Sequence, residues 1–282
     1  MMESMLLQAL VLSAISHCTD SLHTQPSLLA AWQSRTARYG TCFDPIRRQW
    51  LITQDSDQGP AVYRAAALTE QPVPMRVTHA ATTHGLGYVT CSRNGDAYGV
   101  SYVMGERQPL ATIVRLFISD ESITVGEPVG VLQGQWYSSS PTISPDGSRM
   151  VYATDRTGGR GGTDLWFTEK QVDGTWSAPQ FCGDAINSPA QERTPQFLSN
   201  DTLLFSSDGF GGQGGMDVYM SVFRDGTWQD PVPLDNVNTS ADETDASITE
   251  DGSFIFARKG ADRNVQIQYF VLPRSSADPS VE

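Results

Sequence analysis

Residues 154–167 read TDRTGGRGGTDLWF, and residues 207–220 read SDGFGGQGGMDVYM. Asp155, Gly158, Gly159, Gly161, Gly162 and Asp164 are each answered 53 residues later. Self-similarity at a fixed period marks a fold built from one repeated supersecondary unit, none of which can bury its apolar faces alone. The period extends both ways. PTISPDGSRMVYATD at 141–155, PQFLSNDTLLFSSD at 195–208 and ASITEDGSFIFARKG at 246–260 each join a strand end, an Asp or Asn turn and a strand rich in apolar and aromatic residues. Upstream, CSRNGDAYGVSYV carries Asn94-Gly95, 52 residues before Gly147, and CFDPIRRQWLIT is followed by Val62-Tyr63, 103 residues before Leu165-Trp166. Five copies therefore begin near 42, 90, 141, 195 and 246.

Within the copy at 141, extended stretches fall around 138–143, 148–154, 163–168 and 175–181, bounded by Gly, Asp and Pro. Four strands per repeat make a propeller blade. Apolar residues such as Val151, Leu165, Trp166 and Trp176 then pack between neighbouring sheets, which must stack in a ring. The expected fold is an all-β propeller of four-stranded blades over residues 41–273, with an N-terminal segment 17–40 and a tail 274–282. Five blades are visible; a sixth is possible only within the poorly matching N-terminal region. SLLAAWQS at 27–34 has helical composition. Beside the glycine loops, INSPAQE at 186–192 and VNTSADE at 237–243 set Asn187 and Glu192 in register with Asn238 and Glu243, and DGTW recurs at 173–176 and 225–228.

The 282 residues are 39% hydrophobic, enough for one sizeable core, and 25 Gly and 16 Pro are spread along the chain, as many short strands require. A net charge of −13 with no basic cluster repels phosphate backbones and anionic lipid, which excludes nucleic acid as a partner. MLLQALVLSAIS at 5–16, with Ala14 and Ser16 at signal-peptidase spacing, points to export to the periplasm or beyond. The leader MMES has Glu3 and no basic residue, so a buried N-terminal helix is the alternative; the run is too short to span a membrane. Cys18 raises a lipoprotein anchor, against which His17 stands where a small residue is wanted. The four cysteines form no C-x-x-C pair, which argues against a thiolate metal site; in an oxidising compartment Cys42 with Cys91 is the first pairing to expect, since both precede comparable turns in adjacent copies.

SPDGSRMVY, GGRGGTDLWF, DGTWSAP, INSPAQE, GGQGGMDVYM and NTSADE resemble the WD-like β-propeller repeats of TolB-like proteins and of bacterial envelope proteins, some of which are fused to OmpA-like domains. The resemblance covers 139–257 best, 85–138 less well, and fades before 80. It implies an exported propeller that acts as a binding or scaffolding module. The expected partner is an envelope protein or glycan, with the chain monomeric by itself and no cofactor. TolB-like propellers have six blades, where five copies are counted here.

Two chemical readings stand beside that one. The glycine loops suit hairpins that need positive φ, and the rival is calcium held by Asp155, Asp164, Asp208 and Asp217, although the G-G-x-G-x-x-D spacing is one residue longer than the nonapeptide calcium motif. Glu192 and Glu243 are candidates for the paired carboxylates of a five-bladed glycoside hydrolase, yet equivalent acids in successive copies are better explained by the repeat, each accepting hydrogen bonds from turn amides. No G-x-S-x-G elbow, phosphate loop or histidine zinc spacing occurs. Trp136, Arg160 and Phe210 are the partner-contacting candidates, chosen as aromatic or charged loop positions.

Overall fold

Along Arg149–Thr154, side chains alternate between two apolar clusters. Met150 and Tyr152 enter one with Tyr98, Val100 and Ile113; Val151 and Ala153 enter another with Phe197, Leu203 and Phe205. The same division recurs in Gln49–Gln54, Thr202–Ser207 and Ser253–Lys259, so the middle of each sheet is greasy on both faces. A two-sided apolar sheet is stable only between two neighbours, and a circle supplies two neighbours to every member. The computed structural model, which describes residues 27–34, 36–79, 85–103, 110–248, 253–260 and 265–271, is that circle: five sheets and five interlayer clusters. His17, Cys18, His23, His84, the run 5–16 and the tail 274–282 lie outside the described residues.

The first blade is Arg38–Asp44, Gln49–Gln54, Ala61–Ala65 and Val73–Pro74. The second is Gly85–Cys91, Ala97–Val103, Leu110–Ile118 and Ser122–Pro128, with Arg76–Thr78 added in parallel at its rim. The third is Ser138–Ile143, Arg149–Thr154, Asp164–Glu169 and Gln180–Phe181. Glu192–Ser199, Thr202–Ser207 and Asp217–Arg224 build the fourth, with Thr227–Trp228 and Val232–Pro233 both pairing its third strand. The fifth takes Asp242–Ile248, Ser253–Lys259 and Val265–Val271, the last of the described strands, and its outer strand is Ser27–Leu28, the first of them, Ser27 facing Tyr269.

The N-terminal region thus contributes a closing strand. SLLAAWQS forms that strand and a single 3-10 turn, Ala30–Trp32, in place of a longer helix, because tertiary contacts outweigh its composition. Leu29 donates its amide to Ile267 O, Trp32 is fully buried, and Gln33 Nε2 bonds the Leu29 and Ile267 carbonyls. The linker after the second blade repeats this, with Val129 bonded to Ile113 O, a turn over Gly130–Leu132 and Leu132 buried.

Around the axis, each first strand packs on the next, and the fifth packs on the first. Every first strand breaks its pairing register at an equivalent bulge, where Gly40, Tyr88, Ser140, Thr194 and Asp245 hold φ between +45° and +59°, and the fourth blade adds a second break between Phe197 and Ser199. Five hydrogen bonds to neighbouring blades complete the circle. The Tyr88 amide donates to Thr53 Oγ1 (2.8 Å), Ile143 to Thr90 Oγ1 (3.0 Å), Phe197 to Thr142 Oγ1 (3.0 Å), Asp245 to Thr194 Oγ1 (3.2 Å) and Gly40 to Asp245 Oδ1 (3.0 Å).

Phe205 is 1% exposed at the junction of the third and fourth blades. Its replacement by Ala removes a ring from both, and we expect a loss of about 3–5 kcal/mol in urea unfolding; a loss below about 1 kcal/mol would mean the interface is not packed as described. Cys42 and Cys91 are free thiols on adjacent first strands, close enough for a thiol–thiol hydrogen bond, whereas Cys182 is buried in the cluster between the third and fourth blades. In a glutathione redox buffer, mass spectrometry should recover a Cys42–Cys91 peptide pair; recovery of both as alkylated thiols would contradict that proximity.

Candidate functional site

The glycine loops lie between the second and third strands of the third and fourth blades, and each folds onto the linker of the next blade. Gly158 and Gly211 have φ of +99° and +72°, which favours glycine. A methyl on Gly161 or Gly214 would overlap the carbonyl of Ala190 or Ala241 across the joint. The Gly162 amide donates to Ala190 O, and the amides of Glu192 and Glu243 donate to Thr163 O and Met216 O.

The recurring acids hold these loops together. Asp164 accepts the Arg160 and Gly161 amides, and Asp217 accepts that of Gly214. Asp155 accepts the Tyr137 amide and Asp208 that of Gln191, tying each second strand to the chain entering its own blade. Among the described residues no three His, Cys, Asp or Glu come together as a metal cage. Asn187 bonds both Leu165 N and O, as Asn238 does Val218 N and O. Glu192, fully buried, accepts the Ser188 amide (3.0 Å), the Ser188 hydroxyl (2.6 Å) and the Ser207 hydroxyl (2.7 Å). Burial pushes its carboxyl above the usual range against the pull of those donors. Glu243 repeats the arrangement with Thr239 and adds Arg258 Nε at 2.7 Å. Both glutamates are thereby engaged by residues of their own blade and of the linker leading into it.

Two cavities among the described residues bear on function. The axial one, ≈ 20 Å³, is lined by the five bulge residues and those that follow them. Around it, the rings of Tyr39 and Tyr88 lie 5.1 Å apart and the Tyr39 hydroxyl donates to Asp55 Oδ1 (2.6 Å). Burial, reinforced by Asp55, Asp245 and the neighbouring phenols, raises Tyr39, Tyr88 and Tyr102, so their hydroxyls stay protonated. Burial also pushes the Asp245 carboxyl up to about 6, although the Thr244 hydroxyl and the Gly40 amide favour its anion.

The second cavity, ≈ 490 Å³, lies on the fourth blade and falls in the size range of ligand sites. Phe210 and Gly211–Gln213 form one wall, Asp230, Pro231, Pro233 and Asp235 another, and Asp184 comes from the preceding linker. Phe210 stacks edge-on to Tyr219 at 5.3 Å. Of the three partner-contacting candidates, Phe210 lines this groove and Arg160 reaches its rim at Asp184 (3.8 Å), whereas half-buried Trp136 lines neither cavity. Asp245 and the groove acids were not singled out from the sequence. Aligning the copies would have flagged Asp245, which stands where the others have Gly, Tyr, Ser and Thr.

A carboxyl raised from 3.8 to about 6 keeps its proton in the folded protein where the unfolded chain has lost it. The stability it confers is complete below about pH 4 and is lost as pH rises to about 6. Asp245→Asn should therefore gain in urea midpoint relative to the parent across that window, and parallel pH profiles would contradict the assignment.

No protein-family model matches the sequence, and no curated protein resembles it in sequence. Among solved structures the chain is similar to a glycoside hydrolase (TM-score 0.62, 9% identity, 96% of this chain and 97% of that one). It is also similar to the endo-arabinase from Bacteroides thetaiotaomicron VPI-5482 (TM-score 0.58, 11% identity, 91% and 99%). TolB from Acinetobacter baumannii matches at a TM-score of 0.48 and 10% identity over 85% of this chain, which spans 56% of that one. At such identities the likeness is one of fold, and the fold is a five-bladed β-propeller.

Proposed function

We propose that this protein is a non-catalytic propeller of the bacterial cell envelope, which presents its loops to a protein or glycan partner. The observation that carries this reading is the engagement of Glu192 and Glu243 with the hydroxyls and amides of their own loops. A glycosidase acid and its partner must face a substrate across a cleft, and these carboxylates instead fasten one blade's lead-in segment to its strands. The axial end favours catalysis more, since Asp245 titrates high there and Asp55 sits beside Tyr39. Against it, ≈ 20 Å³ holds about one water and no sugar ring. Export rests on the apolar run 5–16, and no helix among the described residues is long and apolar enough to cross a membrane. The acidic surface disfavours nucleic acid and leaves a protein or glycan as partner.

A panel of aryl glycosides and arabinan tested with the purified chain should show no turnover above buffer, and chelation should leave its melting temperature unchanged. Hydrolysis that disappears in Glu192→Gln, Glu243→Gln or Asp245→Asn would overturn the reading in favour of a glycosidase. A fall in melting temperature on chelation, restored by calcium, would make the aspartates of the glycine loops metal ligands.

A further inference from the structure

The two best copies of the repeat differ in charge at Arg160 and its counterpart Gln213, and this difference lies at the mouth of the blade-four groove. In the third blade, Arg160 lays its guanidinium over the following linker, donating to the carbonyls of Asp184 (3.3 Å) and Asn187 (3.1 Å) with the Asp184 carboxylate 3.8 Å from Nε. In the fourth blade the same loop position, 53 residues on, is Gln213, which reaches only the Asp235 carbonyl (3.4 Å) and brings no charge. Asp235 is the counterpart of Asp184, and Asp230 lines the same groove. None of the residues lining the groove is Lys, Arg or His, and neither Asp230 nor Asp235 makes an ion pair among the described residues. The third blade therefore carries its own cation where the fourth leaves acids facing solvent.

A second observation points the same way. Tyr219 is 2% exposed, lines the groove, and its hydroxyl has no hydrogen-bond partner. That hydroxyl lies under Gly212, where a side chain would crowd it at 2.8 Å. A buried hydroxyl normally finds a partner, so the groove floor offers an unused acceptor below the ring of acids. Its walls, Phe210, Pro231 and Pro233, match the aliphatic stem and planar head of an arginine. A pyranose finds less here, because Phe205 stacks on the Tyr219 ring and Phe210 packs against it in a T-shaped contact.

We infer that the groove on the fourth blade is a docking site for an arginine side chain in an exposed segment of a partner protein, which takes the place that Arg160 fills in the third blade. This deepens the binding role proposed above and rests on it. The guanidinium would meet Asp235 and Asp230, with its stem against Phe210 and the prolines.

The test is a chemical-shift titration of the intact, isotope-labelled chain with acetyl-Gly-Arg-Gly-amide. Saturable shifts confined to the amides of Phe210–Gln213 and the linker 234–238 are expected, with a dissociation constant on the order of millimolar. The citrulline peptide, neutral but of equal shape, should produce none. Asp235→Asn should weaken binding roughly tenfold, and Gln213→Arg, which rebuilds the third blade's arrangement, should abolish it while leaving the spectrum dispersed. Equal binding of the citrulline peptide, undiminished binding by Asp235→Asn or Gln213→Arg, or no saturable shift at all would overturn the inference. So would calcium chloride or a neutral arabino-oligosaccharide shifting the same amides where the arginine peptide does not. The two readings fail separately: glycoside turnover would remove the non-catalytic reading, whereas a silent groove would remove this site alone.

Discussion

Burial of both faces of each sheet is the constraint on which the rest depends. Fully burying a large side chain such as Phe205, Tyr152, Phe254 or Phe256 stabilises by about 1.5–3 kcal/mol, but only while the neighbouring sheet is in place. No blade can be stable alone, and the first and last of the described strands must meet. They do so by lending Ser27–Leu28 to the blade formed by the last three strands. The bulges around the axis serve the same end. They turn backbone amides sideways at Gly40, Tyr88 and Asp245 so that the neighbouring blade can accept them, which satisfies polar groups that the axis would otherwise strand.

This constraint explains why so much of the recurring chemistry is structural. Asp164, Asn187 and Glu192, with their copies Asp217, Asn238 and Glu243, are buried polar residues, and such groups cost free energy unless paired. Each is paired with backbone or hydroxyl groups of the glycine loop, the linker beneath it or the third strand that follows. Recurrence follows because the same joint is built twice. Positions that depart from the repeat are then the informative ones: Asp245 among the bulge residues, and Gln213 opposite Arg160.

The propeller was legible in the sequence because its unit is long, its turns are marked by Asp-Gly and Asn-Gly, and its strands are rich in apolar and aromatic residues. Expected strands at 138–143 and 148–154 meet Ser138–Ile143 and Arg149–Thr154. The closing strand was not legible. A two-residue strand carries no period, and SLLAAWQS reads as helix until Trp32 is seen filling the space between the fifth and first blades. The groove was hidden for a different reason. Asp230, Asp235 and Tyr219 are separated in sequence and converge only because the linker folds back over the third strand of its blade, through pairing of Val232–Pro233 with that strand. Phe210 was visible as an aromatic on a glycine loop; its neighbours required the fold.

Native-state hydrogen exchange of the five amides that join neighbouring blades, Gly40, Tyr88, Ile143, Phe197 and Asp245, tests the closed circle most directly. A ring whose members depend on one another predicts that all five exchange only through one common opening, with the free energy of global unfolding. Blades that open one at a time, with Gly40 and Asp245 exchanging far ahead of the other three, would contradict a structure held together by mutual burial.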